Sequence, residues 1–181
     1  MGLLATLVLV IWVMLPAYVP NNAAVLGGGG PPIDGGRTWG GKRILGDGKT
    51  WRGTIVGIAA GVGIALILNS IHGQVTGTLA LDVPRFSWGI IVAFPVGALL
   101  GDIAASFLKR RTGRKRGTMF PLVDQLDFVV VALLLGAIVD WGWMTETFTP
   151  LLLLLVVFLT PIFHIGTNII AYHLGLKDEP W

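Results

Sequence analysis

Five apolar runs, each close to the length a helix needs to cross a bilayer, restrict this chain more than any other feature. Leu3 to Pro20, Thr54 to Ile71, Trp88 to Leu108, Leu122 to Trp141 and Phe148 to Tyr172 are nearly free of charge, and a spanning helix takes roughly 20 apolar residues. Hydrophobic content of 54%, charged content of 13% and a mean hydropathy of +0.77 lie outside ordinary soluble composition. The expected architecture is an all-α integral membrane protein of one transmembrane domain, residues 1–181. Its five helices are expected at about 3–20, 54–71, 88–108, 122–141 and 148–172, joined by a glycine-rich basic loop at 21–53 and a basic connector at 109–121. The first run lacks a basic leading region and an Ala-x-Ala-like cleavage signal, so it reads as a helix and not as a signal peptide. Pro16, Pro20 and the Asn21-Asn22 pair mark its expected end, and Trp143 to Glu146 the turn before the last helix.

Every lysine and arginine except Arg85 falls in the 21–53 loop, the connector or the C-terminal tail. The positive-inside rule makes that side cytosolic, with the N-terminus outside, both polar loops in the cytosol, and the chain a multi-pass protein of the cell membrane. Trp88, Trp141, Trp143 and Trp181 suit interfacial aromatic belts. Gly57, Gly61 and Gly63, and Gly97 with Gly101, give the small-residue spacing that lets helices approach closely. His72, His164 and His173 are scattered without ligand spacing and read as packing or interfacial residues. The absence of cysteine excludes disulfides, thiolate zinc sites and a thiol nucleophile.

Three carboxylates stand where charge is expensive. Asp102 lies inside the third run and Asp124 with Asp127 opens the fourth, at a cost of roughly 2.5–3.5 kcal/mol each near a bilayer centre unless paired or metal-bound. Asp102, Ser106 and Lys109 occupy one helix face at i, i+4 and i+7, and Asp124 and Asp127 are i, i+3 neighbours. Oxygen ligands without nearby His or Cys favour Mg²⁺; a structural ion pair of Asp102 with Lys109 or Arg110 is the plainer alternative. The connector adds Lys109, Arg110, Arg111, Arg114, Lys115 and Arg116, so a candidate cation site adjoins a candidate anion site, an arrangement suited to a metal-bound polyphosphate. The loop from Leu26 to Gly53 combines glycines, which allow backbone amides to form anion-binding nests, with Lys42, Arg43, Lys49 and Arg52. Gly48-Lys49-Thr50 is not a P-loop, because Arg43 stands where that motif needs glycine. A basic loop lying on anionic headgroups is the alternative here. Asp140 and Glu146 fall on the other side of the membrane and outside the site.

Asp102, Ser106, Lys109-Arg110, Lys115 and Asp124-x2-Asp127 resemble the signature of the CDP-lipid synthases, CTP-dependent cytidylyltransferases that activate phospholipid precursors. Compared with the bacterial and eukaryotic phosphatidate enzymes, this chain has Arg116 in place of an Asp, a shorter linker, and Gln125 in place of an Arg. Pro16, Ala17, Tyr18 and Asn21, followed by the loop from Ile33 to Gly53, are similar to the archaeal branch, the CDP-archaeol synthases. The resemblance runs in order from residue 16 to 128. It implies transfer of CMP from CTP to 2,3-bis-O-(geranylgeranyl)-sn-glycerol 1-phosphate, with release of pyrophosphate. It further implies Mg²⁺ held by Asp102, Asp124 and Asp127, catalytic charge from Lys109, and substrate contacts from Asn21, Lys42, Arg43, Asp47, Gly48, Lys49, Thr50, Arg52, Ser106 and Arg110. The implied partners are CTP, an isoprenoid glycerol phosphate lipid and the bilayer, and not nucleic acid; the sequence sets no oligomeric state. Another lipid phosphate such as phosphatidate, or a non-enzymatic cation carrier, are the competing readings. A CDP-alcohol phosphotransferase does not match the spacing of either acidic motif.

Overall fold

The computed structural model describes residues 3–113 and 123–175; Arg114, Lys115, Arg116, Leu122, Lys177 and Trp181 lie outside them. The described chain is helical apart from one small hairpin: α1 (Leu3–Leu26), β1 (Thr38–Trp39), β2 (Lys42–Arg43), α2 (Trp51–Leu79), α3 (Trp88–Arg111), α4 (Val123–Val139), α5 (Trp141–Thr147) and α6 (Pro150–His173). Among the described residues four helices, α1, α2, α3 and α6, are long and apolar enough to cross a membrane; α4 has 17 described residues.

Several helix ends depart from expectation for identifiable reasons. α1 continues through Pro16 and Pro20 to Leu26, so Asn21 sits on a helix and not in the loop. Proline is tolerated in such helices where a neighbour accommodates it, and here Gly61 of α2 leaves room for the Pro20 ring, whose Cγ would lie 2.7 Å from an added Cβ. α2 starts at Trp51 because Thr50 caps it, its Oγ1 accepting the Gly53 N–H at 3.1 Å. α3 extends through Lys109, Arg110 and Arg111, cations that suit the negative end of a helix dipole. The expected turn around Trp143 is the short helix α5, capped by Asp140, which accepts the Trp143 N–H at 3.0 Å. Trp143 is half-buried, stacked on Phe86 at 5.7 Å and edge-on to Phe94, whereas Trp88 and Trp141 are exposed.

α1 packs along α2, and α3 along α4, with α6 lying against α4 and α1. Glycines four residues apart make both seams. An added Cβ at Gly57 would lie 2.7 Å from the Pro20 carbonyl oxygen, at Gly97 2.6 Å from Ala132 Cα, and at Gly101 2.7 Å from Phe128 Cα. Gly63 meets nothing within 4 Å and has no part in a seam. Phe94, Ile90, Met14, Val10, Val13 and Val129 form the fully buried centre. These seams bring the loop-side ends of α1, α3, α4 and α6 around a common space.

Candidate active site

The glycine-rich loop is built from its own polar groups. Its ends are joined where the Ile33 N–H donates to the Lys49 carbonyl (2.8 Å) and the Trp51 N–H to that of Pro31 (3.4 Å). Between them β1 and β2 pair antiparallel, Thr38 opposite Arg43 and Trp39 opposite Lys42. Gly40 and Gly41, at φ +59° and +73°, supply the two left-handed residues that a two-residue hairpin turn requires. Asp34, with a side chain 1% exposed, is the hub. Its carboxylate accepts the N–H groups of Gly36 (3.1 Å), Leu45 (3.0 Å) and Gly46 (3.1 Å), and pairs with the Arg43 guanidinium at 2.9 Å. Arg43, aided by those backbone donors, holds this carboxyl well below the usual carboxylate range. Arg43 also reaches Asp47 at 2.6 Å.

The end of α3 grips this loop. Arg110 Nε donates to the Leu45 carbonyl at 3.3 Å. Arg111 donates to the carbonyls of Trp39 (2.6 Å), Lys42 (3.2 Å) and Arg43 (2.8 Å), with its guanidinium over the Trp39 and Phe107 rings at 5.4 and 5.5 Å. Only a planar guanidinium fork serves several acceptors and two rings together.

Held in this way, the loop lays Gly48, Lys49 and Thr50 into the wall of a cavity of about 570 Å³, which Asp102 and Asp124 also line. Lys49 Nζ donates to the Asp102 carboxylate, and Lys109 Nζ to Asp124 Oδ2 at 2.7 Å. Four charges therefore neutralise one another in two pairs that join the loop to α3 and α3 to α4. The first turn of α2 forms part of the wall, and its dipole makes that wall favourable to anions. Asp127 does not line the cavity. It stands within electrostatic reach of Asp102, Asp124 and Lys49, and its Oδ1 accepts the Phe128 N–H at 2.6 Å. Among the described residues no three metal-ligating side chains are drawn into one cluster.

The structure thus gathers Asn21, Gly48, Lys49, Thr50, Asp102 and Asp124 around one space. Asn21 Oδ1 is buried there without a hydrogen-bond partner. Arg43, Asp47 and Arg110 are engaged in the loop's own architecture. Lys42 and Arg52 are exposed and Ser106 is half-buried on α3, and none of the three lines the cavity. One wall was not foreseen. Thr160, His164, Thr167 and Asn168 of α6 face the cavity, and Tyr18 joins that wall through a 2.8 Å hydrogen bond to Thr160. Their spacing of i, i+4, i+7 and i+8 is one helix face, a polar stripe in an otherwise apolar span that could have been read directly from the sequence.

A family model described as CarS-like, CDP-archaeol synthase, matches residues 3–181. The chain belongs to the CDP-archaeol synthase family. It is 59% identical to the CDP-archaeol synthase of Halobacterium salinarum over 181 residues, covering 100% of both chains. It is also 59% identical to that of Haloarcula marismortui over 176 residues, 97% of each. A solved structure, from a study of an intramembrane enzyme for archaeal membrane lipids biosynthesis, superposes with a TM-score of 0.71 at 36% identity, covering 88% of this chain and 92% of that one.

Proposed function

We propose that this member of the family transfers CMP from CTP to 2,3-bis-O-(geranylgeranyl)-sn-glycerol 1-phosphate, giving the CDP-lipid and pyrophosphate. The observation that carries the reading is the convergence of Lys49 and Thr50, from a glycine-rich loop, with Asp102 and Asp124, from two helices, on one cavity. An oxygen of the lipid phosphate attacks the α-phosphorus of CTP; a new P–O bond forms, the bond to the β-phosphate bridging oxygen breaks, and pyrophosphate leaves with the electron pair. The nucleophile is already ionised, so no side chain has to remove a proton. Lys49, Thr50 and the first turn of α2 hold the triphosphate, while Lys109 steadies the charge that gathers on the phosphates being joined. Asp34, Arg43, Arg110 and Arg111 keep the loop in the shape that aims Lys49 into the cavity.

Two hard carboxylates without thiolate or imidazole beside them suit Mg²⁺, and Asp102 and Asp124 would hold it, with Asp127 adjacent. Bound there, the ion would neutralise phosphate charge and orient the leaving pyrophosphate. α4 serves as a fifth span, and the distribution of lysine and arginine supports an N-terminus outside and a cytosolic loop, where CTP is available. The test is direct. Purified protein given CTP labelled at the α-phosphate, Mg²⁺ and the lipid phosphate should move the label into the organic extract; label that stays wholly aqueous rejects the reading.

A further inference from the structure

The two ion pairs that hold the cavity's acids, one with Lys49 in the wall and one with Lys109 outside the lining, differ from the loop's internal pair in one respect that matters for ligand binding. The Asp34 side chain is 1% exposed and surrounded by donors on its own loop. The side chains of Lys49 and Asp102 are 25% and 29% exposed, and those of Lys109 and Asp124 are 21% and 18% exposed. Each of these two pairs joins different elements across the edge of a cavity, so each can separate without unfolding the element that carries it. We propose that Lys49 and Lys109 are resident counter-ions of the metal-binding carboxylates, and that both exchange partners when a divalent cation and a triphosphate enter together. The proposal rests on the cytidylyltransferase reading above and goes beyond it by coupling the two ligands.

The argument is one of charge balance. With no ligand bound, each carboxylate has an ammonium partner and the cavity carries no net charge from these four groups. A divalent cation binding the Asp102 and Asp124 oxygens competes with both ammonium groups for the same atoms and is repelled by them at short range. Displaced alone, the lysines would be left half-buried beside a cation, an unfavourable outcome. A triphosphate removes this obstacle, because the freed Lys49 ammonium finds phosphate oxygens in the cavity that it lines, and Lys109, outside the lining but bonded to the lining Asp124, can turn to them from the edge. Nucleotide binding therefore releases the carboxylates and cation binding releases the lysines, a coupling that is reciprocal by linkage.

The consequence is contrary to the ordinary expectation for a cation removed near a substrate site. Taking away a lysine should tighten binding of the metal alone. The experiment uses the full chain in detergent micelles without nucleotide, with Mn²⁺ as the probe and free Mn²⁺ read by electron paramagnetic resonance. Lys49→Met and Lys109→Met should each bind Mn²⁺ about tenfold more tightly than wild type, the scale of one charge pair in a partly buried site. Each variant should also lose most of the additional Mn²⁺ affinity that saturating CTP confers on wild type. Either variant binding Mn²⁺ no more tightly than wild type overturns the exchange. If Mn²⁺ binds equally well after Asp102→Asn and Asp124→Asn, the metal reading beneath the proposal fails, which separates the two.

Discussion

The two ends of the helix bundle both carry polar networks, and they are satisfied in different ways. At the end away from the glycine-rich loop, side chains bond mainly to backbone: Trp12 donates to the Pro84 carbonyl at 2.9 Å, Asn69 exchanges two 2.8 Å bonds with Phe86, and Trp143 donates to the Arg85 carbonyl at 2.6 Å. These contacts pin the 80–87 connection between α2 and α3. At the loop end, Asp102 and Asp124 bond to lysines across the edge of a cavity. A backbone carbonyl cannot leave its partner without local unfolding, whereas a lysine can swing to a ligand. The first kind of network holds the fold and the second can exchange partners; Asp34, although at the loop end, belongs to the first kind.

The seams that carry both networks give the largest expected effect. Gly101→Val would press a branched side chain against the backbone of Asp127 and Phe128, and overpacking costs about 1–3 kcal/mol or more where backbone must move. Thermal unfolding should show a large fall in Tm and loss of folded protein. An unchanged Tm would mean that α3 and α4 do not pack as described, and the division between the two ends would lose its frame.

Asp34→Asn comes next. Removing the charge from a buried pair costs about 3 kcal/mol, here as order in the loop and not in the bundle. Limited proteolysis at the Gly40–Gly41 turn should accelerate, and the KM for CTP should rise while Tm changes little. The same site gives a pH test. The folded-state pKa of Asp34 is lowered by Arg43 and the backbone donors, so its contribution is fully present above the unfolded value of about 3.9 and is lost as pH falls below it. Wild-type loop proteolysis should be flat from neutral pH down to about 4 and rise below that. A rise centred near neutral pH would assign the loop's order to another group.

Asn69→Leu should have the smallest effect on function. It deletes both bonds to the Phe86 backbone and leaves buried groups unpaired, about 1–3 kcal/mol. Tm should fall by a few degrees with turnover and both KM values unchanged. A change in kcat would show that the two ends are coupled.

That Asp102, Asp124 and the loop come together was legible in the sequence, because charge inside an apolar run and clustered glycines with cations are both costly enough to need a reason; Asp127 does not line the cavity. The loop's arginines were not legible in the same sense. Arg43, Arg110 and Arg111 are three cations beside a candidate anion site, yet each ends on a carbonyl or carboxylate of the loop, and which acceptor an arginine finds is decided by how the chain returns on itself. Pro16 and Pro20 read as a helix end, since nothing in the local sequence shows that Gly57 and Gly61 of α2 will make room for Pro20. The α6 wall is written in the sequence only as a pattern: threonine, histidine and asparagine are individually tolerated in a helix, and only their shared face marks them.

The central claim is that the cavity acids serve a ligand and not the fold. It is tested by measuring turnover and thermal stability together in Asp102→Asn. Transfer of labelled CMP into lipid should fall at least about a hundredfold, the scale of losing a charge that stabilises the transition state. The Tm should stay within a few degrees of wild type, because the Lys49 and Asp102 side chains are only partly buried, at 25% and 29% exposed, and Lys49 sits on the loop and not in the bundle, so water can replace the lost partner. Retained turnover, or a loss of stability as large as the loss of activity, would contradict the account.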